Sequence, residues 1–207
     1  MQFESANASV VRSVKQRDLL NAWLRARDKR QALPALGDYR PDRIADELAE
    51  MMGFDVTGKG DTARFLITQE GSRLAATYGS EHIDPDQRTN RYLDDAIGPD
   101  RYARVVHPYR VCLARKRPTY SISMVQDGEG KHVAYERLLL PFGSVDTVLQ
   151  IVGSYKAISI DGGFKINNLM GIRSKATPVS VINAVIDQEI ARRPAGYRAA
   201  DDIIEVN

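Results

Sequence analysis

Hydrophobic residues recur at helical spacing along the first fifty residues of the chain. Between Val10 and Arg30, large apolar side chains fall on one stripe while basic residues occupy the remaining faces, which predicts an amphipathic helix. That stripe consists of Leu19, Leu20, Trp23 and Leu24. Residues 33–41 contain two prolines and a glycine, so they predict a connector. Pro41 suits the first turn of a second helix, which is expected to end near Gly53. Its apolar side carries Ile44, Leu48, Met51 and Met52.

The pattern then changes to the short alternating runs of β-strands. Residues 64–68 (RFLIT) predict one strand, 69–71 a turn, and 72–78 an antiparallel partner strand. Residues 79–100 are rich in loop-forming residues. They precede another helical stripe, which Pro108 either kinks or divides into two short helices. The stripe comprises Tyr102, Val105, Val106, Tyr109, Cys112 and Leu113.

Three strands are predicted after this helical region, at residues 119–126, 133–141 and 147–159. Asp127-Gly128 is a strong hairpin signal between the first two, and short loops predict an antiparallel meander. A last helix is expected after Thr177, which can cap it with Pro178 in the first position. The apolar positions of that helix are Val179, Ile182, Val185, Ile186 and Ile190.

A strand pair, a helical crossover and a three-stranded meander follow one another in the order of a PAS domain. Residues 33–159 also resemble a PAS subfamily that is widespread in alphaproteobacteria. The matching features are the tryptophan helix before Leu33-Pro34, Arg64-Phe65-Leu66-Ile67 leading into Gly71-Ser72-Arg73-Leu74, Arg117-Pro118, Tyr135-Glu136-Arg137-Leu138-Leu139-Leu140-Pro141, and Gly153.

The resemblance implies an α+β fold, with a PAS-like five-stranded antiparallel sheet covered by helices on one face and enclosing a core that sometimes holds a ligand. N-terminal and C-terminal flanking helices are added to that core. The corresponding division is an N-terminal arm with flanking helices (1–61), a PAS-like core (62–160) and a C-terminal tail with one helix (161–207).

Composition and charge narrow the classes of function. The 207 residues are 43% hydrophobic and 27% charged, with a net charge of +2, and no apolar run approaches the length of a membrane span. No secretory signal is recognised, so a cytoplasmic protein without membrane insertion is expected. The near-neutral charge disfavours a dedicated nucleic-acid binder. Basic residues nevertheless concentrate in 12–30, which leaves a nucleic-acid or cyclic-dinucleotide effector as an alternative.

Two adjacent charges in an otherwise apolar strand, Glu136 and Arg137, are the sharpest indication of a pocket. Successive side chains point to opposite faces of a strand, so one of the two should face the helices and the other should face away. A buried charge needs a partner or a ligand, whereas a solvent-facing one does not. The sequence does not decide which of the two charges faces the helices. The candidate pocket residues are Tyr102, Val106, Tyr109, Tyr120, Ile122, Met124, Glu136, Arg137, Leu138 and Ile151.

No cofactor, metal site or catalytic residue is predicted. His107 lies where some PAS sensors carry a haem-binding histidine, but it directly precedes Pro108 at the start of a helix, so haem is not expected. His82 and His132 flank turns, and the three histidines lack metal-ligand spacing. The single cysteine, Cys112, lies on an apolar stripe outside any flavin-reactive motif and reads as a core residue.

The leading hypothesis is therefore a non-catalytic sensory or regulatory module of bacterial signalling that binds a small ligand, a signalling protein, or both. Homodimerisation through the surface formed by Leu19, Leu20, Trp23 and Leu24 is expected to accompany it. A weaker alternative is a small cone-fold isomerase or hydratase in which Glu136 would be the base.

Overall fold

An eight-stranded mixed sheet lies at the centre of the protein, an α+β fold with few helices. The computed structural model describes residues 2–27, 32–42, 44–74, 89–127, 129–144, 146–163 and 179–188. The strands are β1 (Glu4–Ala6), β2 (Met51–Thr57), β3 (Arg64–Glu70), β4 (Arg91–Tyr92), β5 (Thr119–Gln126), β6 (His132–Ser144), β7 (Thr147–Ser159) and β8 (Val179–Ile186). Their order in the sheet is β1-β8-β5-β6-β7-β2-β3-β4. The pairing of β1 with β8 is parallel, and the other described pairings are antiparallel.

Four α-helices accompany the sheet in the described part of the chain: α1 (Val14–Ala26), α2 (Leu93–Ile97), α3 (Pro99–Val105) and α4 (His107–Arg115). The hydroxyl of Ser13 accepts a hydrogen bond from the Gln16 N–H and so caps α1. Pro108 lies in the first turn of α4, where its missing N–H costs nothing. The stripe around Pro108 therefore forms two short helices, one of the two outcomes that the sequence left open. Helix α1 is also confirmed.

Helices cover both faces of the sheet. On one side, here called the α1 face, the Gln16 side-chain amide donates to the carbonyl of Ser154 at 3.0 Å. On the other, the α4 face, the Tyr109 ring packs against Phe54 and Phe65, with centroids 5.3 Å away in both cases. The predicted N-terminal flanking helix α1, whose position the sequence did not decide, therefore covers the face opposite to α4.

Strand β6 shows the consequence of this double cover. A strand with one covered face alternates between buried and exposed residues, but β6 is buried without interruption from Val133 to Phe142. The near-continuous apolar sequence of this strand is the local signature of burial on both faces.

Neither of the two other predicted flanking helices forms. Ile44 and Leu48 lie in separate 3₁₀ turns, and Met51 and Met52 begin β2, which pairs with both β3 and β7. The C-terminal helix is wrong as well, since Val179–Ile186 form β8 between β5 and β1. In each case strand pairing with a distant segment outweighs a helical spacing of apolar residues. Ile190 lies outside the described residues.

The first strand pair is β2–β3, one strand earlier in the chain than expected. Residues 72–74, predicted to start a strand, form a helical turn, and residues 75–78 lie outside the described part. Strand β2 thus comes from the segment assigned to the N-terminal flank and β8 from the segment assigned to the tail, yet both belong to the central sheet. None of the described helices is long and apolar enough to cross a membrane.

Candidate functional site

Both charges at the middle of β6 are buried, one beneath each helical layer. Glu136 is 2% exposed and Arg137 is 8% exposed. Glu136 lies opposite Ile122 and Lys156 in the neighbouring strands, on the α1 face. Arg137 lies opposite Tyr155 and points to the α4 face. The expectation that one of the two would face away from the helices is wrong, because there is no uncovered face at this point.

Arg137 lies among tyrosine rings. Its guanidinium carbon is 5.7 Å from the ring centroid of Tyr109 and 6.0 Å from that of Tyr155, within reach of cation–π attraction. The hydroxyl oxygens of Tyr109 and Tyr155 are 2.5 Å apart and buried, so one hydroxyl donates to the other. The ring of Tyr135 adjoins that of Tyr155 at 6.3 Å. Arg137, Tyr109, Tyr135 and Tyr155 are called the arginine–tyrosine cluster below.

Gly153 makes room for this cluster. A Cβ atom at Gly153 would lie 2.5 Å from the hydroxyl oxygen of Tyr155 and 2.8 Å from its Cζ, distances that real Cβ atoms do not adopt. The ring of Tyr155 therefore lies along its own strand, over the position where a side chain at Gly153 would be. This orientation carries its hydroxyl to Tyr109 on α4.

A small cavity adjoins the cluster between the sheet and helices α2–α4. Its volume is about 20 Å³, which is room for about one water molecule. Arg137 and Tyr109 contribute to its lining together with Glu70, the last residue of β3. The remaining described lining residues are apolar: Met52, Ile67, Leu93, Ala96, Ile97 and Val105. Polar groups thus converge on a mainly apolar space, the usual composition of a ligand site.

On the α1 face, Glu136 ends a short chain of hydrogen bonds. Its Oε2 accepts a hydrogen bond from the Tyr120 hydroxyl at 2.8 Å, and that hydroxyl accepts one from the Arg12 N–H at 3.1 Å. Burial, and then the adjacent Glu136 carboxylate, raise the pKa of Tyr120. Glu136 lies on the opposite side of the sheet from the cavity at Arg137, which removes it as a base for chemistry in that cavity.

An ion-pair network lies beside Glu136 on the same face. The Lys156 amine is 2.5 Å from Glu47 Oε2 and also contacts Glu50. The other Glu47 oxygen is 2.9 Å from the amine of Lys15, and Arg73 lies 3.3 Å from Glu50. The hydrogen bond from Lys15 to Glu47 raises the pKa of the Lys15 amine. The network joins α1, the 3₁₀ turns and β7. Sequence reasoning missed it because Glu47 and Glu50 occupy the polar side of a predicted helix.

The ten candidate pocket residues divide between the two faces. On the α4 side are Tyr102, Val106, Tyr109, Arg137 and Ile151, of which Tyr109 and Arg137 line the small cavity. On the α1 face are Tyr120, Ile122, Met124, Glu136 and Leu138. Missing from the prediction are Tyr155 and Glu70. The only sequence signal for Tyr155 is a glycine two residues before a tyrosine in the same strand.

Three of the four residues expected to form a dimer surface are packed into the chain's own core. Leu19, Leu20 and Trp23 are buried, and the Trp23 indole N–H donates to the Pro141 carbonyl at 2.7 Å. Leu24 is the most accessible of the four, at 36% exposed. The apolar stripe of α1 thus stabilises the monomer.

Several basic residues of the N-terminal region have partners within the chain. The Arg17 guanidinium donates to the Val11 carbonyl at 2.8 Å, Lys15 pairs with Glu47, and Arg25 is 3.6 Å from Asp42. Lys29 and Arg30 lie outside the described residues. These contacts attach the basic residues of α1 to other parts of the same chain.

His107 and Cys112, considered above for haem and redox chemistry, both lie on α4. The His107 ring lies 5.6 Å from that of Phe3. Cys112 is fully buried, with its sulfur 3.9 Å from the Leu139 carbonyl, and burial raises the pKa of its thiol. A thiol that is buried and has a raised pKa is inert, so Cys112 is a structural residue of the core. His82 lies outside the described residues, and His132 is exposed and bonded to Asp161. Among the described residues, no three histidine, cysteine, aspartate or glutamate side chains are grouped as metal ligands.

Neither a known protein family nor a curated protein sequence matches this chain. The resemblance to PAS domains therefore remains a prediction from the sequence.

Proposed function

We propose that this chain is a PAS-type sensory or regulatory module that binds a small polar ligand at the arginine–tyrosine cluster and transmits binding through the helices of the α4 face. Its action is binding without catalysis. The observation that carries the proposal is a buried arginine, Arg137, surrounded by tyrosines at a cavity between sheet and helices.

The order of the five central strands, β5-β6-β7-β2-β3, supports the PAS assignment. The last strand of the meander, β7, pairs with the first strand of the preceding pair, β2. Helices α2–α4 fall between that pair and the meander, as the resemblance implies. Strands β8 and β1 extend the sheet beyond β5.

The polar groups that line the cavity indicate the chemical class of the ligand. The Arg137 guanidinium donates hydrogen bonds and the Glu70 carboxylate at the same cavity accepts them, so together they suit an uncharged molecule with a carbonyl oxygen and a hydrogen-bond donor. The apolar remainder of the lining suits a short hydrocarbon portion. A compact molecule that carries such an oxygen is therefore the expected ligand class.

Because the cavity is small, ligand binding would require the helices above it to move, and that movement would be the signal. A space of about 20 Å³ holds one water, so a larger ligand enters only when the overlying helices move outwards. Helices α2 and α3 have five and seven residues, and α2–α4 succeed one another with few connecting residues. Short helices of this kind have little stability of their own and can move as ligand enters.

The test compares neighbouring residues on opposite faces of one strand. Native mass spectrometry and an absorbance spectrum of freshly purified protein report any retained small molecule, and a screen of small uncharged carbonyl compounds reports thermal stabilisation. Arg137→Gln should abolish both signals. Glu136→Gln should keep them, because a glutamine oxygen still accepts from Tyr120 and lies on the other face.

If Arg137→Gln does not fold, Tyr109→Phe serves in its place. This substitution removes the hydroxyl of a cavity-lining residue but keeps its ring, and it should weaken both signals. The proposal is overturned if the wild-type protein neither retains nor responds to any compound of this class, or if the substitution at Arg137 leaves the response unchanged.

A further inference from the structure

A second and larger cavity lies on the opposite face of the sheet, between strands β2, β3 and β7 and the 3₁₀ turns at 36–50. Its volume is about 130 Å³. Buried Tyr39 and Met51 lie at its inner side, and Leu36 and Leu48 are exposed near its mouth. This space is called the connector cavity below. It is separated from the arginine–tyrosine cluster by the sheet itself.

The lining of the connector cavity is chiefly apolar, with polar groups at one side. Ile44, Leu48, Met51 and Val152 contribute hydrocarbon surface, and Gly53 contributes none that could fill the space. Thr68, Gln69 and Gln150 supply hydroxyl and amide groups. The amide of Gln150 is held by donating to Asp55 at 3.0 Å. The cavity thus offers an apolar interior with neutral polar groups.

Its volume matches one small ring. An apolar cavity of about 150 Å³ is known to bind benzene and xenon, so about 130 Å³ accommodates a ligand of similar size. We propose that the connector cavity is a second binding site, for a single-ring apolar molecule that carries no charge and at most one small polar group. The neutral side chains at its edge give no compensation for an ionised ligand.

The segment that covers the cavity, residues 36–50, is called the connector here, and its contacts indicate what such a ligand would do. At one end, the Tyr39 hydroxyl donates to the Leu19 carbonyl on α1 at 3.3 Å, and its ring packs edge-on against Phe142. At the other end, Glu47 and Glu50 are tied to Lys156 on β7. A ligand between these two attachments contacts connector and sheet together, so it stabilises the docked connector.

Benzene and phenol are the probes, with glycerol as a polar control, and the measurement is the thermal midpoint of the full chain against probe concentration. We expect saturable stabilisation by at least one aromatic probe and none by glycerol. Val152→Phe fills the cavity and should weaken probe binding at least tenfold. Val181→Phe adds the same bulk at an exposed position of β8 and should leave binding unchanged.

If Val152→Phe does not fold, Leu48→Trp obstructs the mouth from an exposed position and serves in its place. Xenon density in the connector cavity of pressurised crystals would support the proposal, and density only elsewhere would overturn it. Equal stabilisation of the wild type and the filled variant, or no stabilisation by either aromatic probe, also overturns it. Arg137→Gln should not affect this binding, so failure here is distinguishable from failure of the function proposed above.

Discussion

The two faces of β6 place adjacent charges in contrasting surroundings. Beneath α1, Glu136 accepts a hydrogen bond from Tyr120, and a thirteen-residue helix is bonded directly to the sheet. Beneath α2–α4, Arg137 lies among aromatic rings beside a cavity, under three short helices. Burial is nearly the same for both residues. The difference lies in the covering helices, because one long helix tied to the strands covers one side and three short helices cover the other.

This contrast assigns different uses to the two faces. Around α1 itself, ion pairs and side-chain hydrogen bonds fix the N-terminal segment, so this part of the α1 face contributes mainly stability. The α4 face has the buried arginine and the short helices that the proposed response requires, whereas the larger connector cavity lies on the α1 face, beneath the 3₁₀ turns.

The strongest test of the α1 face is Trp23→Ala. Removing this fully buried indole loses its packing and its hydrogen bond to Pro141, and should lower the free energy of unfolding by about 3–5 kcal/mol. Chemical denaturation measures the loss. Leu24→Ala, on the same helix but partly exposed, should cost about 1 kcal/mol or less. Similar small losses for both variants would mean that α1 is not an integral layer of the core.

The ion-pair network should give the next largest effect. Lys156→Met leaves Glu47 and Glu50 without their shared lysine, and removal of one partner from a buried pair costs about 3 kcal/mol. The lysine side chain is 11% exposed, so solvent screens its ion pairs with Glu47 and Glu50 only weakly. Adding Glu47→Gln to Lys156→Met should recover part of the loss in a double-mutant cycle. Strictly additive losses would show that the two residues are not coupled.

On the α4 face, Gly153→Ala should destabilise the protein by about 1–3 kcal/mol, because the new methyl group collides with the Tyr155 ring. The ring must turn away, so the hydroxyl contact with Tyr109 should be lost and tyrosine absorbance should change. Gly163→Ala is the control, since nothing lies within 4 Å of a Cβ atom there. Equal stability of both variants would contradict the close approach at Gly153.

The smallest effect is expected at an exposed charge, for comparison with the buried pair on β6. The His132 backbone N–H and ring lie against the Asp161 carboxylate and lower its pKa from the ordinary value of about 4. A folded-state pKa below the unfolded one contributes stability above the unfolded value, and that stability is lost as pH falls through the folded value. Asp161→Asn should therefore be slightly less stable at pH 7, with the difference disappearing under strongly acidic conditions. A difference that persists there would exclude the charge as its cause.

Local sequence patterns were sufficient where an element depends on neighbouring residues. The amphipathic stripe predicts α1, the Asp127-Gly128 turn and alternating residues predict the β5–β6 pair, and Pro108 marks the division between α3 and α4. Within the candidate site, Arg137 and Tyr109 were recognised from their positions on an apolar strand and an apolar helical stripe.

The elements that were predicted wrongly depend on distant partners. Residues 51–57 become β2 because β3 and β7 are available on either side, and residues 179–186 become β8 because β5 presents an edge. Their apolar residues fit a helical spacing and a strand equally well, so periodicity alone could not separate the two. Tyr155 joins the site only because the adjacent Gly153 gives its ring space, and periodicity carries no information about that contact.

The sequence by itself determined the α+β class, the amphipathic first helix, the meander of β5, β6 and β7, and the presence of two charges within an apolar strand. These follow from side-chain periodicity and turn chemistry, which act over a few residues. Only the tertiary structure decided that both charges are buried, that β2 and β8 join the sheet, and that the two cavities lie on opposite faces. Those outcomes depend on which distant surfaces meet, since the free energy of strand pairing and burial depends on the partner as much as on the segment itself.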